Sequence, residues 1–187
     1  MGLDVSAAAI ESAQARARAA GMQPRLRFFR ADLDLPLPFD GPPFDAAMSL
    51  DVVLHLHDRQ SLFERVVRVL RPHGRLLVTD AGVISGPVSS QELQRRSSHG
   101  FTQFVPPGVN ETMLATAGLR LVGTEDRTAS VSRHARGRLR ALGLHRDALE
   151  QALGKSAIDA QQAYLETVAE LAERKALSRV MYLAQAG

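Results

Sequence analysis

A predicted strand, helix and strand that follow one another between residues 44 and 79 limit the fold of this chain more than any other feature. Residues 44–50 and 75–79 have the short apolar character of buried strands. Residues 58–70 have the period of a helix, with an apolar face formed by Leu62, Val66, Val69 and Leu70. Strands joined through a helix lie parallel in one sheet, with a right-handed crossover and helices covering the sheet. We therefore expect an α/β fold.

The segments before this unit extend the same alternation towards the amino terminus. Ser6 supplies a side-chain oxygen that caps a helix, and Gly21 suits the left-handed residue at its end. Residues 25–31 predict a strand, and residues 32–43 predict a proline-rich connection.

The second half of the chain predicts two more strands. Residues 82–108 form a loop-rich segment that ends in a Pro-Pro-Gly turn. We expect Asn110 to cap a short helix that Gly118 closes, and residues 119–124 and 178–184 to be strands.

Helical residues separate these last two strands. We expect residues 131–175 to form a helical insertion packed over the sheet, with an apolar face formed by Leu165, Val168, Leu171 and Ala172. A chain of 187 residues with 45% hydrophobic side chains has the size and core of one domain, so residues 1–187 are expected to fold as a unit.

Composition excludes several classes of site. The chain has no cysteine, which removes disulfides, thiolate metal sites and cysteine nucleophiles. The six histidines are scattered, and His55 and His57 have no third ligand at suitable spacing, so we predict no metal. No apolar stretch approaches the roughly 20 residues that span a bilayer, so we expect a cytoplasmic protein without a membrane partner.

Charge is divided unevenly along the chain. Residues 1–58 carry five Arg against eight acids, whereas residues 59–187 carry eighteen bases against twelve acids. The run from Arg133 to Arg146 has five Arg and two His without an acid, which could attract an anionic substrate or a nucleic acid. The run has no interleaved aromatic residues on which bases could stack, so a solvated helix face is the favoured interpretation and no nucleic-acid partner is expected.

Short motifs in a fixed order resemble those of class I S-adenosylmethionine-dependent methyltransferases, of the methyltransferase-domain type seen in ubiquinone and menaquinone biosynthesis. The order and spacing of the motifs are more specific than any one of them. They are Gly2-Leu3-Asp4-Val5-Ser6, Ala31-Asp32-Leu33, Phe44-Asp45-Ala46-Ala47-Met48-Ser49, Val53-Leu54-His55-Leu56-His57-Asp58 and Leu70-Arg71-Pro72-His73-Gly74-Arg75-Leu76-Leu77-Val78.

This resemblance implies a Rossmann-like parallel sheet with an antiparallel last strand, and S-adenosyl-L-methionine as the cofactor. Asp4 matches the acid that binds the ribose hydroxyls, and a carboxylate can accept two hydrogen bonds from such a diol. Asp32 matches the acid near the adenine amine. The full set of cofactor-binding residues implied by the resemblance is Asp4, Val5, Asp32, Leu33, Ser49 and Leu50.

The glycine-rich turn of the family has no counterpart in these residues. In the family the first strand ends in an acid followed by G-x-G-x-G, but here the first residues already resemble the second strand. We expect an N-terminally truncated version of an enzyme, weak or inactive as given. The alternative is a complete product whose cofactor site has been abandoned.

The acceptor side of the site is predicted from two residues that are four positions apart. If residues 51–55 form a helical turn, Asp51 and His55 face the same way. His55 is then the candidate base, and Asp51 the candidate group that holds a cationic or hydroxyl-bearing acceptor. His55 as a support for its loop stays an equal alternative, and His57 is expected to be solvated. Residues 82–108 form the acceptor-side loop, where Phe101, Phe104 and Met113 could line an apolar pocket or belong to the core.

Other functions remain as alternatives. A small-molecule acceptor is expected, with a carbon, nitrogen or oxygen nucleophile. A catalytically inactive protein that binds a partner chain through its exposed edges is the second hypothesis, and a homo-oligomer is possible. A nucleic-acid methyltransferase is disfavoured because Ser49-Leu50-Asp51-Val52 replaces the motif such enzymes carry. A nicotinamide dehydrogenase is disfavoured because its glycine fingerprint is also missing.

Overall fold

The computed structural model describes residues 1–38, 43–98 and 100–187. Strands and helices alternate through the first half of the chain, and three helices precede the last strand. In chain order the elements are β1 (Gly2–Asp4), α1 (Ala7–Ala19), β2 (Phe28–Arg30), β3 (Phe44–Leu50), a 3₁₀ helix (Val53–His55), α2 (Arg59–Val69), β4 (Leu70–Ile84), α3 (Ser90–Arg96), α4 (Val109–Thr116), β5 (Leu119–Asp126), α5 (Thr128–Leu144), α6 (Arg146–Leu153), α7 (Lys155–Glu173) and β6 (Leu177–Ala186).

Four strands form the larger sheet, in the order β3-β4-β6-β5. β3 pairs with β4 in parallel, with Ala47 opposite Leu76, and α2 connects the two strands. β6 runs antiparallel to both β4 and β5. The predicted parallel unit and antiparallel last strand are therefore confirmed.

The first helix follows its sequence signals closely. The Ser6 side chain accepts a hydrogen bond from the backbone of Ala9, and Gly21 adopts a left-handed φ of 64°. The helix connects β1 to β2 along the chain, and these two strands pair in parallel as a separate two-stranded sheet. The strand predicted at residues 25–31 is shorter in the structure, because only Phe28–Arg30 pair with β1. Part of the predicted connection at residues 32–43 lies outside the described residues.

Two local predictions are wrong. β3 is not buried on both faces: the pleat turns Ala47 towards the core, whereas Met48 is 70% and Leu50 49% exposed. Asn110 does not cap α4, because the helix begins after Gly108, whose φ is 89°. Asn110 instead lies in the first turn, fully buried, with its side chain directed into the interior. Gly118 closes this helix with a φ of 88°, as predicted.

Hydrophobic side chains gather in one main core and two smaller ones. The main core joins the larger sheet to α2 and α4, and includes Phe63, Leu76, Val78, Leu114 and Tyr182. A second core holds α5, α6 and α7 together, and a third packs the carboxyl end of α7 against α3 and the end of β4. The predicted apolar face of the last helix is buried, with Leu165 and Val168 in the second core and Leu171 in the third.

A buried ion pair adjoins the main core. The side chains of Arg59 and Asp80 are 1% and 0% exposed, and Arg59 Nη1 lies 2.8 Å from Asp80 Oδ2. Arg59 also donates to Asn110 Oδ1 at 2.8 Å, to Gln103 Oε1 at 3.0 Å and to the Gln103 carbonyl at 2.8 Å. Asp80 accepts from Asn110 Nδ2 at 2.8 Å and from the Gly82 backbone at 2.7 Å. These bonds join α2, β4, α4 and the loop that contains Gln103.

Removing one charge from this pair should destabilise the fold strongly. Asp80→Asn keeps the shape but leaves Arg59 as an uncompensated buried cation, which typically costs about 3–5 kcal/mol. Asp45→Asn is the matched control, because Asp45 pairs with Arg71 on the exposed surface, where an ion pair contributes about 0–1 kcal/mol. Urea unfolding measures the free energy of unfolding of both variants. An equal decrease of this free energy in Asp80→Asn and Asp45→Asn would contradict the role assigned to the buried pair.

Alkaline pH should also destabilise the fold, through Tyr182. Burial raises the pKa of this phenol to about 12, whereas an unfolded tyrosine ionises near about pH 10. Between about pH 10 and 12 the unfolded state therefore loses a proton that the folded state keeps, and the free energy of unfolding falls as pH rises. Tyr182→Phe should flatten this part of the pH profile in urea titrations. Parallel profiles for the two proteins would exclude Tyr182 as the titrating group.

Candidate functional site

The residue that follows β3 is held in a strained backbone conformation. Asp51 has a φ of 53°, which a non-glycine residue rarely adopts. Its backbone donates to Thr79 Oγ1 at 2.9 Å, and its Oδ1 accepts from the same hydroxyl at 2.8 Å. Arg179 on β6 lies 2.9 Å from Asp51 Oδ2 and donates to Oδ1 at 3.0 Å. Asp51 is thus fixed to β4 and to the start of β6.

His55 ends the 3₁₀ helix and is held by a different part of the chain. Its Nδ1 lies 2.8 Å from the carbonyl oxygen of Phe101. A carbonyl only accepts, so Nδ1 carries the hydrogen, and in the neutral ring Nε2 keeps the lone pair. The loop that presents this carbonyl is fixed by Gln103, whose backbone donates to the Leu54 carbonyl at 2.7 Å and which Arg59 also binds.

The predicted alignment of Asp51 and His55 on one helical turn is wrong. The 3₁₀ helix begins only at Val53, after the left-handed residue, and the two side chains bind different elements. His57 is exposed, as expected, but it is not simply solvated. Its ring stacks on Phe101 with centroids 4.1 Å apart, and its Nδ1 lies 2.9 Å from Asp34 Oδ2.

A cavity of about 320 Å³ lies beside His55. It is lined by His55, Arg96, Gly100, Phe101, Thr102 and Tyr164. Of the three apolar residues predicted for a pocket, only Phe101 lines it. Phe104 packs on the third core and Met113 on the main core. Arg96 and Tyr164 were not predicted, because the sequence gives no sign that α3 and α7 meet at this point.

The two predicted adenosine-binding acids lie at the same end of the smaller sheet. Asp4 is opposite Arg30 in the parallel pairing of β1 with β2, and Asp32 follows two residues beyond Arg30. Both carboxylates are exposed, and each bonds a nearby backbone nitrogen, that of Ser6 at 2.8 Å or that of Asp34 at 2.9 Å. Val5 is 62% exposed next to Asp4, and its carbonyl accepts from Arg30 Nε at 3.1 Å.

This end of the smaller sheet is tied to the segment after β3. Asp34 accepts from the backbones of His57 and Asp58, at 3.1 and 3.3 Å, and from the His57 ring. The hydrogen bond from the His57 ring holds the pKa of the Asp34 carboxyl below its ordinary value. Leu33 packs against the main core, and its carbonyl accepts from Arg65. Asp32 and Leu33 are therefore held close to the carboxyl end of β3.

Two more predicted residues end β3 itself. The Ser49 hydroxyl is buried and has no hydrogen-bond partner within the described residues. Leu50, about half exposed, leaves an apolar surface beside it. Ser49 lies on the same face of β3 as Ala47, whereas Leu50 lies on the exposed face, so the two predicted residues point to opposite sides of the strand.

Residues 1–38, 43–98 and 100–187 offer neither a membrane span nor a cluster of metal ligands. No helix there is both long and apolar enough to cross a membrane. No three His, Asp or Glu side chains in those ranges gather in a way that could hold a metal ion.

Several known proteins similar to this chain are methyltransferases. The family described as "Methyltransferase domain" matches residues 1–78. The 27-O-demethylrifamycin SV methyltransferase of Amycolatopsis mediterranei is 30% identical over 128 residues, which are 67% of this chain and 47% of that protein. The ubiquinone biosynthesis O-methyltransferase of Chelativorans sp. is 30% identical over 139 residues, or 70% of this chain and 53% of that protein.

A solved structure shares the fold. Phosphoethanolamine N-methyltransferase 2 of Haemonchus contortus, in complex with phosphomonomethylethanolamine and S-adenosylhomocysteine, superposes with a TM-score of 0.84 at 19% identity. The match covers 99% of this chain and 43% of that chain. The chain spans about half the length, or less, of the curated relatives it matches. The match to the methyltransferase-domain family over residues 1–78 and the strand order, with its parallel and antiparallel pairings, make the chain similar to the class I S-adenosylmethionine-dependent methyltransferases.

Proposed function

We propose that the protein transfers a methyl group from S-adenosylmethionine to a small-molecule acceptor, with His55 as the general base. The observation that carries this proposal is the hydrogen bond of His55 Nδ1 to the Phe101 carbonyl, 2.8 Å long, at the edge of the cavity. This bond assigns the lone pair of the neutral ring to Nε2. The base is thereby prepared before an acceptor arrives.

The residues at the ends of β1, β2 and β3 fit the adenosine portion of the cofactor. Exposed Asp4 supplies a carboxylate for the ribose diol, and Asp32 supplies one for the purine amine. Val5, Leu33 and Leu50 supply backbone groups and apolar contacts.

The bound cofactor supplies an electrophilic methyl group on a sulfonium, and sulfur takes the electron pair of the breaking C–S bond. The work of the protein is then to align the acceptor and exclude water. His55 Nε2 accepts the proton that a hydroxyl or protonated amine of the acceptor loses as its lone pair forms the new bond to carbon. Phe101 forms an apolar wall of the cavity for the body of the acceptor.

Binding of the acceptor by Asp51 stays a prediction, although Asp51 does not share a helical turn with His55. Its carboxylate already forms an ion pair with Arg179, so a hydroxyl of the acceptor would share it rather than find it free. The strained backbone of Asp51 supports a functional role, because such conformations gather at ligand sites.

Substitution of His55 should slow turnover without weakening cofactor binding. General-base catalysis contributes about 10²–10⁴-fold, so His55→Ala should lower kcat by about 10² or more. His134→Ala, on the exposed face of α5, is the matched control. The assay requires a form of the protein that binds S-adenosylmethionine. Where residues 1–187 bind it too weakly, the assay uses a version extended by a glycine-rich strand, turn and helix. Unchanged kcat in His55→Ala would remove the catalytic role, and nitrogen NMR shifts can check the tautomer independently.

Residues 1–187 alone should bind the cofactor weakly, because they carry no G-x-G-x-G turn to approach its methionine portion. Calorimetric titration of this polypeptide with S-adenosylmethionine should detect no tight binding. Asp4→Asn tests any residual affinity, which should fall further if this carboxylate holds the ribose. Micromolar affinity of residues 1–187 would overturn the prediction.

A further inference from the structure

Arg96 at the end of α3 brings a positive charge into the cavity beside His55. The side chain is partly buried, and its Nη1 donates to Tyr164 Oη at 2.9 Å. Its guanidinium carbon lies 5.6 Å from the centroid of the Tyr164 ring. α3 and α7 thus hold the cation in a defined position on the cavity wall.

Arg96 differs from four other partly or fully buried arginines that join elements. Arg59, Arg136, Arg146 and Arg179 each form an ion pair with a carboxylate. Within the described residues, Arg96 has no carboxylate partner. A guanidinium that is partly removed from water loses solvation, and an oxyanion would compensate this loss beyond the contacts that Tyr164 already makes. Its fixed planar donors also match an oxyanion in two parallel hydrogen bonds.

We propose that this cavity binds an acceptor through a carboxylate or phosphate group at Arg96, with the methylated hydroxyl or amine near His55. This inference deepens the proposed function. Only the placement of the methylated group near His55 rests on that function, since anion binding at Arg96 does not depend on methyl transfer. The substrate class is a small molecule with an oxyanion at one end and a nucleophile at the other.

The dimensions and lining of the cavity agree with such a ligand. A volume of about 320 Å³ is at the lower end for small-molecule sites, which admits a compound of one ring or a few carbons. Phe101 and Tyr164 supply aromatic side chains to the lining of the same cavity. A neutral ligand of the same shape would leave Arg96 without its counter-charge.

Anion binding can be measured on residues 1–187 without cofactor. Calorimetric titrations use benzoate, inorganic phosphate and benzamide, the last being an uncharged analogue of benzoate. Benzoate or phosphate should bind and benzamide should not, and the tighter of the two anions identifies the chemistry of the natural group. Arg96→Met should weaken the binding about tenfold or more, as expected for hydrogen bonds to a charged group.

Arg95→Met is the matched control, because Arg95 is the exposed neighbour on the same helix. It should leave the affinity unchanged, and Arg96→Lys should retain part of it. Equal binding of benzoate and benzamide, no binding of either anion at millimolar concentration, or equal effects of Arg95→Met and Arg96→Met would overturn the proposal. His55→Ala should preserve anion binding, so loss of turnover in that variant with binding intact separates the two proposals.

Discussion

The buried ion pair of Arg59 with Asp80 is the contact on which the site depends most. It places two opposite charges beside the main core, where neither meets solvent. Their desolvation is compensated only because Asn110, Gln103 and the backbone of Gly82 complete the hydrogen bonds. The pair is therefore less a source of net stability than a means of selecting one arrangement of α2, β4 and α4.

The same network reaches the chemistry through the loop after α3. Arg59 holds both the side chain and the carbonyl of Gln103, and Gln103 in turn bonds the backbone of Leu54, next to His55. The carbonyl that orients the imidazole belongs to Phe101, two residues before Gln103. A buried charged contact thus fixes a loop that sequence alone would describe as irregular, and that loop decides which imidazole nitrogen carries hydrogen.

Local signals in the sequence were enough for most of the framework. The helices and the parallel unit could be predicted because they depend on neighbours in the chain. The signals were the period of residues 58–70, the caps at Ser6 and Gly118, and the order of apolar runs. Asn110 was misplaced because a capping preference competes with burial, and here the interior hydrogen bonds decided its position. β3 was misjudged because an apolar run does not report which of its faces is covered.

The site was less predictable, since its contacts join residues far apart in sequence. His55 was found from a motif, but its partner Phe101 lies 46 residues away, and Tyr164 lies 68 residues from Arg96. One sign was available and was missed: Arg59 opens α2, where the positive end of the helix dipole disfavours a cation. Such a residue needs a compensating anion, and Asp80 directly after a predicted strand was a candidate.

Phe101 connects the two histidines of the segment after β3, because its carbonyl binds His55 while its ring stacks on His57. Its side chain is 47% exposed and borders the cavity, so an incoming molecule would press against it. The backbone of Phe101 therefore orients the imidazole of His55 while its side chain forms part of the surface that an acceptor would contact, so one residue serves both sides of the cavity.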